Sequence, residues 1–146
     1  MPRNLCTPFY EPGARLPCRP TVDVIGKRFV KVSAAKDPGS LGLDPGATGG
    51  NIKIAPAGAG DRALGVAEHD CPADGKQPHV VTVMRAGHVV PIPAAVPLAP
   101  NDLVVPAADG KAGKAADQTA AGLGVAAGLV LGGGTVADQD AIVLLY

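Results

Sequence analysis

The densest cluster of reactive side-chain types in this 146-residue sequence is Glu68-His69-Asp70-Cys71, with His79 and His88 farther along. Zinc would have to take Cys71, His79 and His88. A structural zinc site is four-coordinate and built on closely spaced ligand pairs, and this spacing offers none. A Cys-His nucleophile needs its base within hydrogen-bond reach, which nothing near Cys71 promises. The stretch is turn-rich and reads as a solvated loop, so no metal ligand and no catalytic residue is assigned to it. GLGVAAG (residues 122–128) has the glycine density of a dinucleotide loop, yet that motif requires a following helix, which Gly132, Gly133 and Gly134 would break. The Gly-Lys pairs beginning at 26, 75, 110 and 113 are followed by Arg, Gln, Ala and Ala, never by the Ser or Thr of a phosphate loop. No cofactor and no enzymatic activity are expected.

The elements that would carry any site are built from small residues. Ala, Gly, Val and Pro make up more than half of the chain, against two Phe, two Tyr and no Trp. A large aromatic buries about 150–250 Å² and a methyl far less, so burial per residue is low. Stability must then come from close approach of thin strands, or from burying surface against copies of the chain or a larger body. Lys plus Arg equals Asp plus Glu at 13 each, so there is no basic footprint for nucleic acid or an anionic membrane. Cys6, Cys18 and Cys71 are odd in number with no CxxC pair, which fits reduced thiols of a protein made in a cytoplasm. The N-terminus lacks the pattern of a secretory signal. Gly124, Gly128 and Gly132 have membrane-helix spacing, but six glycines between 122 and 134 count against any helix.

The chain divides at Pro20. Residues 1–20 carry prolines at 2, 8, 12, 17 and 20, which fit neither a helix nor a central strand. They read as an extended arm whose Leu5, Phe9, Tyr10 and Leu16 are the candidate contacts to another surface, the alternative being a floppy terminus. Removing the arm is expected to leave the remaining domain folded. Residues 21–146 read as a single all-β domain. VDVI (22–25) is expected to form a tight hairpin with FVKVS (29–33), and 37–50 a loop set by two Asp-Pro-Gly turns. Strands follow over 51–54, 63–68 and 79–85. VVTVM (80–84) is apolar at nearly every position, so it is buried on both faces, inside a sandwich or against a neighbour. Residues 88–92 read as an edge strand leading into a proline-rich crossing. LVVPA (103–107), an Asp109-Gly110 turn, 111–116, 123–130 and 141–145 complete the set.

LGVA occurs at 64–67 and again at 123–126, each time followed by a polar or glycine-rich insert and an aliphatic run. FVKVSA (29–34) precedes the first copy and LVVPAA (103–108) the second. One β unit is therefore used twice, as a pseudo-repeat over 21–92 and 101–146, in a small barrel or sandwich built from two similar halves.

In this order FYEPGARL (9–16), GKRFVKVSA (26–34), APAGAGDRALGVAEHD (55–70), VVTVMRAGHVVPI (80–92), NDLVVPAADGKAGKA (101–115) and LGVA with a terminal aliphatic strand resemble the small capsid decoration proteins of tailed double-stranded DNA bacteriophages, in particular those infecting actinobacteria. These are also called cement or head-stabilisation proteins. The proline-heavy arm with its two cysteines and the long 37–50 loop depart from the pattern. The resemblance implies a virion structural protein, often a homotrimer, on the outer surface of an icosahedral capsid. There it would clamp adjacent subunits of the major capsid protein near local threefold positions. Two readings from other classes stand beside it. One is a surface module of the particle that binds host cell-wall carbohydrate, against which the scarcity of aromatics counts. The other is a small Cys-His hydrolase, which would lose its activity in Cys71→Ala.

Overall fold

A computed structural model describes residues 15–35, 52–73, 80–119, 122 and 124–146. These residues form ten strands: β1 (Arg15–Pro20), β2 (Phe29–Ala34), β3 (Ile52–Pro56), β4 (Gly65–Ala67), β5 (Val81–Met84), β6 (Val89–Pro93), β7 (Leu103–Pro106), β8 (Ala112–Lys114), β9 (Gly128–Gly133) and β10 (Asp140–Leu145). The fold is all-β and made of two similar halves, as the sequence suggested. The first half is a closed barrel with strand order β1-β3-β2-β4-β5; β1 pairs with β5 to complete it. The second half is a sheet of order β6-β10-β9-β7-β8, whose outer strands are joined where Ala94 bridges Ala112 in parallel.

The two halves share strand order, direction and register. β1 runs parallel to β3 and antiparallel to β5, and the Ala94–Ala112 bridge and the β6–β10 pairing repeat those relations. Val30 faces both Gly65 and Pro56, as Val104 faces Gly128 and Lys114. Connections outside the strands repeat too. Leu64 N donates to Val30 O at 2.7 Å and Ala127 N to Val104 O at 2.8 Å; Val24 N donates to Cys71 O at 3.0 Å and Leu98 N to Gly134 O at 2.8 Å. Even the backbone strain repeats. Lys27 and Asn101, which hold the same place, have φ of 65° and 72°, and their N–H groups donate to Ala67 O and Val130 O.

Side chains alternate across a strand, so every second residue of each barrel strand points inward. Cys18, Val30, Ile54, Ala67, Val81 and Val83 fill the first barrel. Their register equivalents Ile92, Val104, Ala112, Val130, Ala141 and Val143 fill the second and are fully buried. Each set holds three Val and one Ile; they differ by one Cys in place of one Ala. Volumes are thus redistributed among positions while the total is nearly kept, the kind of change a packed interior tolerates best.

The structure corrects several expectations. The boundary at Pro20 falls inside the barrel: Arg15–Pro20 is β1, with Cys18 fully buried. Pro17 is accommodated because it lies where β1 pairs with β5 alone, before its parallel pairing to β3 begins at Cys18. Pro91 holds the equivalent place in β6. Residues 1–14 lie outside the described residues, as does the 37–50 loop. The halves also divide differently. β6, expected to end the first repeat, opens the second, so the repeat runs over 15–85 and 89–145 with a connection of three residues between. The second LGVA is not the counterpart of the first, because Gly128–Val130 aligns with Gly65–Ala67. Residues 22–25 do not form a hairpin with β2; they contribute a single bridge, Val24 to Cys71. At Asp109-Gly110 the expected turn is present, with φ of 58° and 73° at its two central residues.

Candidate functional site

Each member of the reactive cluster has a structural task. The Glu68 carboxylate lies 3.3 Å from the Arg15 guanidinium. His69 Nδ1 sits 2.8 Å from Asp70 O. Asp70 Oδ1 accepts the Gly26 N–H at 2.9 Å, tying the β4–β5 connection to the turn before β2. Cys71 faces the barrel interior, where burial pushes its thiol up to about 11; burial pushes Cys18 up to about 12. A nucleophilic cysteine needs the opposite shift. His88 is at the other end of the first barrel, past the end of β5, fully buried. Its Nδ1 lies 3.0 Å from Arg85 O; a carbonyl only accepts, so Nδ1 carries the proton there and Nε2 is left without a partner. His79 lies outside the described residues. Among the described residues no group of three or more His, Cys, Asp or Glu could hold a metal ion.

Of the four candidate contact residues, Leu5, Phe9 and Tyr10 lie outside the described residues. Leu16 is in β1, half-buried and packed on the interior cluster of the first barrel, so its part is to fill that barrel. The glycine-rich stretch, for which the sequence argued against a dinucleotide loop and a membrane helix, runs into β9. No helix among the described residues is long and apolar enough to cross a membrane.

What the sequence reading missed is the contact between the barrels. Phe29, Val66 and Met84 point out of the first barrel yet are 1%, 0% and 0% exposed, because they join the hydrophobic cluster of the second. That is why VVTVM is apolar on both faces: Val81 and Val83 fill their own barrel while Met84 meets the other. From the second barrel the contact is made by the Asp109-Gly110 turn and by Asp140. Arg28 donates to Asp109 O at 3.2 Å, and Lys27 Nζ lies 3.0 Å from Asp140 Oδ2. Gly110 approaches so closely that a Cβ would stand 2.5 Å from Phe29 O. A groove of about 400 Å³ runs along the junction, with Phe29, Gly65 and Arg85 on one wall and Val125, Leu145 and Tyr146 on the other. Beside it Lys31 bonds Asp61 at 2.8 Å and, with the Gly58 N–H, holds that carboxyl below the usual range. The signal for the shared architecture was present in the sequence: Pro17 and Pro91 are separated by the same offset as Phe29 and Leu103.

These surfaces are not the same patch seen twice. The first barrel contributes Lys27, Arg28, Phe29, Val66 and Met84, whose equivalents are Asn101, Asp102, Leu103, Leu129 and Leu144. The second contributes Gly110 and Asp140, whose equivalents are Ile52 and Val80. The contact is therefore head-to-tail rather than self-complementary.

The fold has a match among solved structures. The chain is similar to the N base of head fiber gp8.5 of bacteriophage phi29, with a TM-score of 0.60 at 16% identity, over 90% of this chain and 92% of that one. At that identity the likeness is one of fold. No family model matches the chain, and no curated protein matches it.

Closed pairing also bears on how the protein can attach to anything. Among the described residues the strands of the first barrel close on themselves, β1 against β5, and the outer edges of the second meet at Ala94 and Ala112. Strand addition needs an open edge, so the closed part of each sheet offers its side-chain faces instead.

Proposed function

We propose that this protein is a structural component of a bacteriophage virion, bound to the outer surface of the capsid, where it clamps adjacent major capsid subunits and assembles as a homotrimer. The observation that carries the proposal is the likeness in fold, over nearly the full length of both chains, to a protein described as the base of a phage head fiber. The ordered resemblance to capsid decoration proteins points the same way. The chemistry agrees: the Glu68–Cys71 cluster is spent on the fold, and both described thiols are buried with raised pKa. The carbohydrate-binding alternative gains little, since the one exposed aromatic among the described residues is Tyr146.

A protein that binds the assembled shell but not its broken state stabilises the shell by mass action, by about 2.7 kcal/mol per site at a free concentration one hundred times Kd. The test is to prepare particles with and without the protein and heat or osmotically shock both. Particles that carry it should retain their DNA under stress that empties those without it. Equal survival, together with absence of the protein from purified virions, would reject the proposal.

A further inference from the structure

The overall charge of zero is not evenly divided. Residues 1–85 carry eleven Lys and Arg against eight Asp and Glu, and residues 86–146 two against five. Several of the described cations are spent on carboxylates of the fold. Lys27 pairs with Asp140 at 3.0 Å, Lys31 with Asp61 at 2.8 Å and Arg15 with Glu68 at 3.3 Å, while the two lysines of the second half, Lys111 and Lys114, pair with Asp138 and Asp102 at 2.6 and 3.2 Å. Arg62 and Arg85 differ from these. Both are exposed, both line the groove between the barrels, and neither has a carboxylate partner among the described residues. The nearest acid in sequence is already taken, because the Asp61 carboxylate accepts from Lys31 Nζ and from the Gly58 N–H, each at 2.8 Å. Arg85 donates its Nε–H to Leu64 O at 3.2 Å, which restrains the plane of the guanidinium and leaves its terminal nitrogens uncommitted among the described residues. The opposite lip is apolar: Val125 is 73% exposed and Tyr146 48%.

From this we infer that the groove between the barrels seats an acidic, amphipathic polypeptide segment presented by the capsid shell, whose carboxylates pair with Arg62 and Arg85 while its apolar side chains lie against Val125 and Tyr146. A guanidinium meets a carboxylate through two parallel N–H bonds, so the pairing is directional as well as strong, and the charge that the fold leaves uncompensated is matched by the partner. Nucleic acid fits the site less well. A phosphate backbone is met by a track of several cations, whereas here two guanidiniums stand beside the paired Asp61 and across from an apolar lip. Because both barrels wall the groove, its occupant touches the two at once and spans their junction. The inference rests on the proposed attachment to a capsid and names the surface that makes it and the chemistry of the partner.

The test is co-sedimentation of the full chain with shells prepared without it. Arg62→Glu and Arg85→Glu, both at exposed side chains, should each weaken binding by about tenfold or more. Val125→Ser, on the apolar lip, should weaken it several-fold. Lys114→Glu makes the same change of charge on the second barrel, outside the groove, and should bind as wild type does. Shells whose carboxylates have been capped with carbodiimide and ethanolamine should lose the wild-type protein. Circular dichroism checks that each variant is folded. Folded arginine variants that bind like wild type, or a Lys114→Glu form that loses as much as they do, would overturn the inference and leave attachment to the shell standing. Capped shells that still bind would overturn the acidic partner, and tighter binding of wild type to double-stranded DNA than to shells would give the groove to nucleic acid. A wild type that does not sediment with shells would reject the inference and the proposed function together.

Discussion

Gly65 and Gly128 hold the same place in the two barrels, and each lies where a side chain would strike the next strand. A Cβ on Gly65 would collide with the Met84 carbonyl oxygen; one on Gly128 would stand 2.7 Å from the Leu144 carbonyl oxygen. The requirement is imposed by the fold twice over. Strands without bulk can approach this closely, and that is one of the two sources of stability available to a chain so poor in large side chains.

Gly65→Ala and Gly128→Ala should therefore each destabilise the protein, by about 1–3 kcal/mol as for overpacked positions generally. Gly132→Ala, where nothing lies within 4 Å of the added carbon, should change stability by less than about 0.5 kcal/mol. Urea denaturation of the three variants checks the contrast.

The junction between barrels should depend on its apolar contacts and little on its ion pair. Met84→Ala removes a fully buried side chain and should cost about 2–5 kcal/mol. Leu144→Ala, at the half-buried equivalent, should cost less in the single chain. Lys27 and Asp140 are 30% and 39% exposed, so Lys27→Ala should cost less than about 1 kcal/mol. Chemical denaturation at a concentration where the chain is monomeric measures all three.

Removing residues 1–20 should abolish cooperative folding, because the deletion takes β1 and leaves the edges of β3 and β5 unpaired. A truncated chain that melts cooperatively, with the circular dichroism of the full protein, would show that the barrel closes without its first strand. This reverses what the run of prolines suggested. Proline spacing shows which residues are poor donors, but it cannot show that the missing donor at Pro17 falls where the neighbouring strand has not yet begun.

The two described thiols set a direction for stability against pH. Each is raised in the folded state, to about 12 for Cys18 and about 11 for Cys71, from an ordinary value of 9.0. Their contribution is fully present below pH 9.0 and is lost as pH rises from there through the folded values, because the unfolded chain releases protons that the folded chain keeps. Denaturation midpoints should fall above pH 9.0, and Cys18→Val should lessen the fall. Neither thiol should react with an aromatic disulfide reagent at neutral pH until the protein unfolds. The substitution itself should be tolerated, since Ile92 fills the same place in the second barrel.

Duplication was legible in the sequence where the strands keep an unbroken offset. FVKVSA and LVVPAA are true counterparts, and the Asp109-Gly110 turn, β3, β5 and β10 lie where pattern and turn chemistry put them. LGVA misled because the loops before β4 and β9 differ in length, so identical letters fell on different backbone places while Gly65 and Gly128 kept the same one. The junction between barrels was hidden for another reason. Met84 and Phe29 look like ordinary core residues, and nothing in a linear pattern separates a side chain that fills its own barrel from one that fills the gap to the next. The reactive cluster was legible only as a turn-rich connection; Asp70 holding the Gly26 N–H is a long-range bond that spacing cannot show.

A wall of hydrogen bonds that bends round to meet itself has a colloidal consequence. Amyloid grows by templating new strands on exposed backbone, and among the described residues the first barrel closes β1 against β5 while the outer edges of the second sheet are pinned together at Ala94 and Ala112. Valine-rich segments such as VVTVM would be hazardous in an open sheet. Here VVTVM lies in a strand paired with β1 on one side and β4 on the other, so its backbone is already partnered where those pairings run.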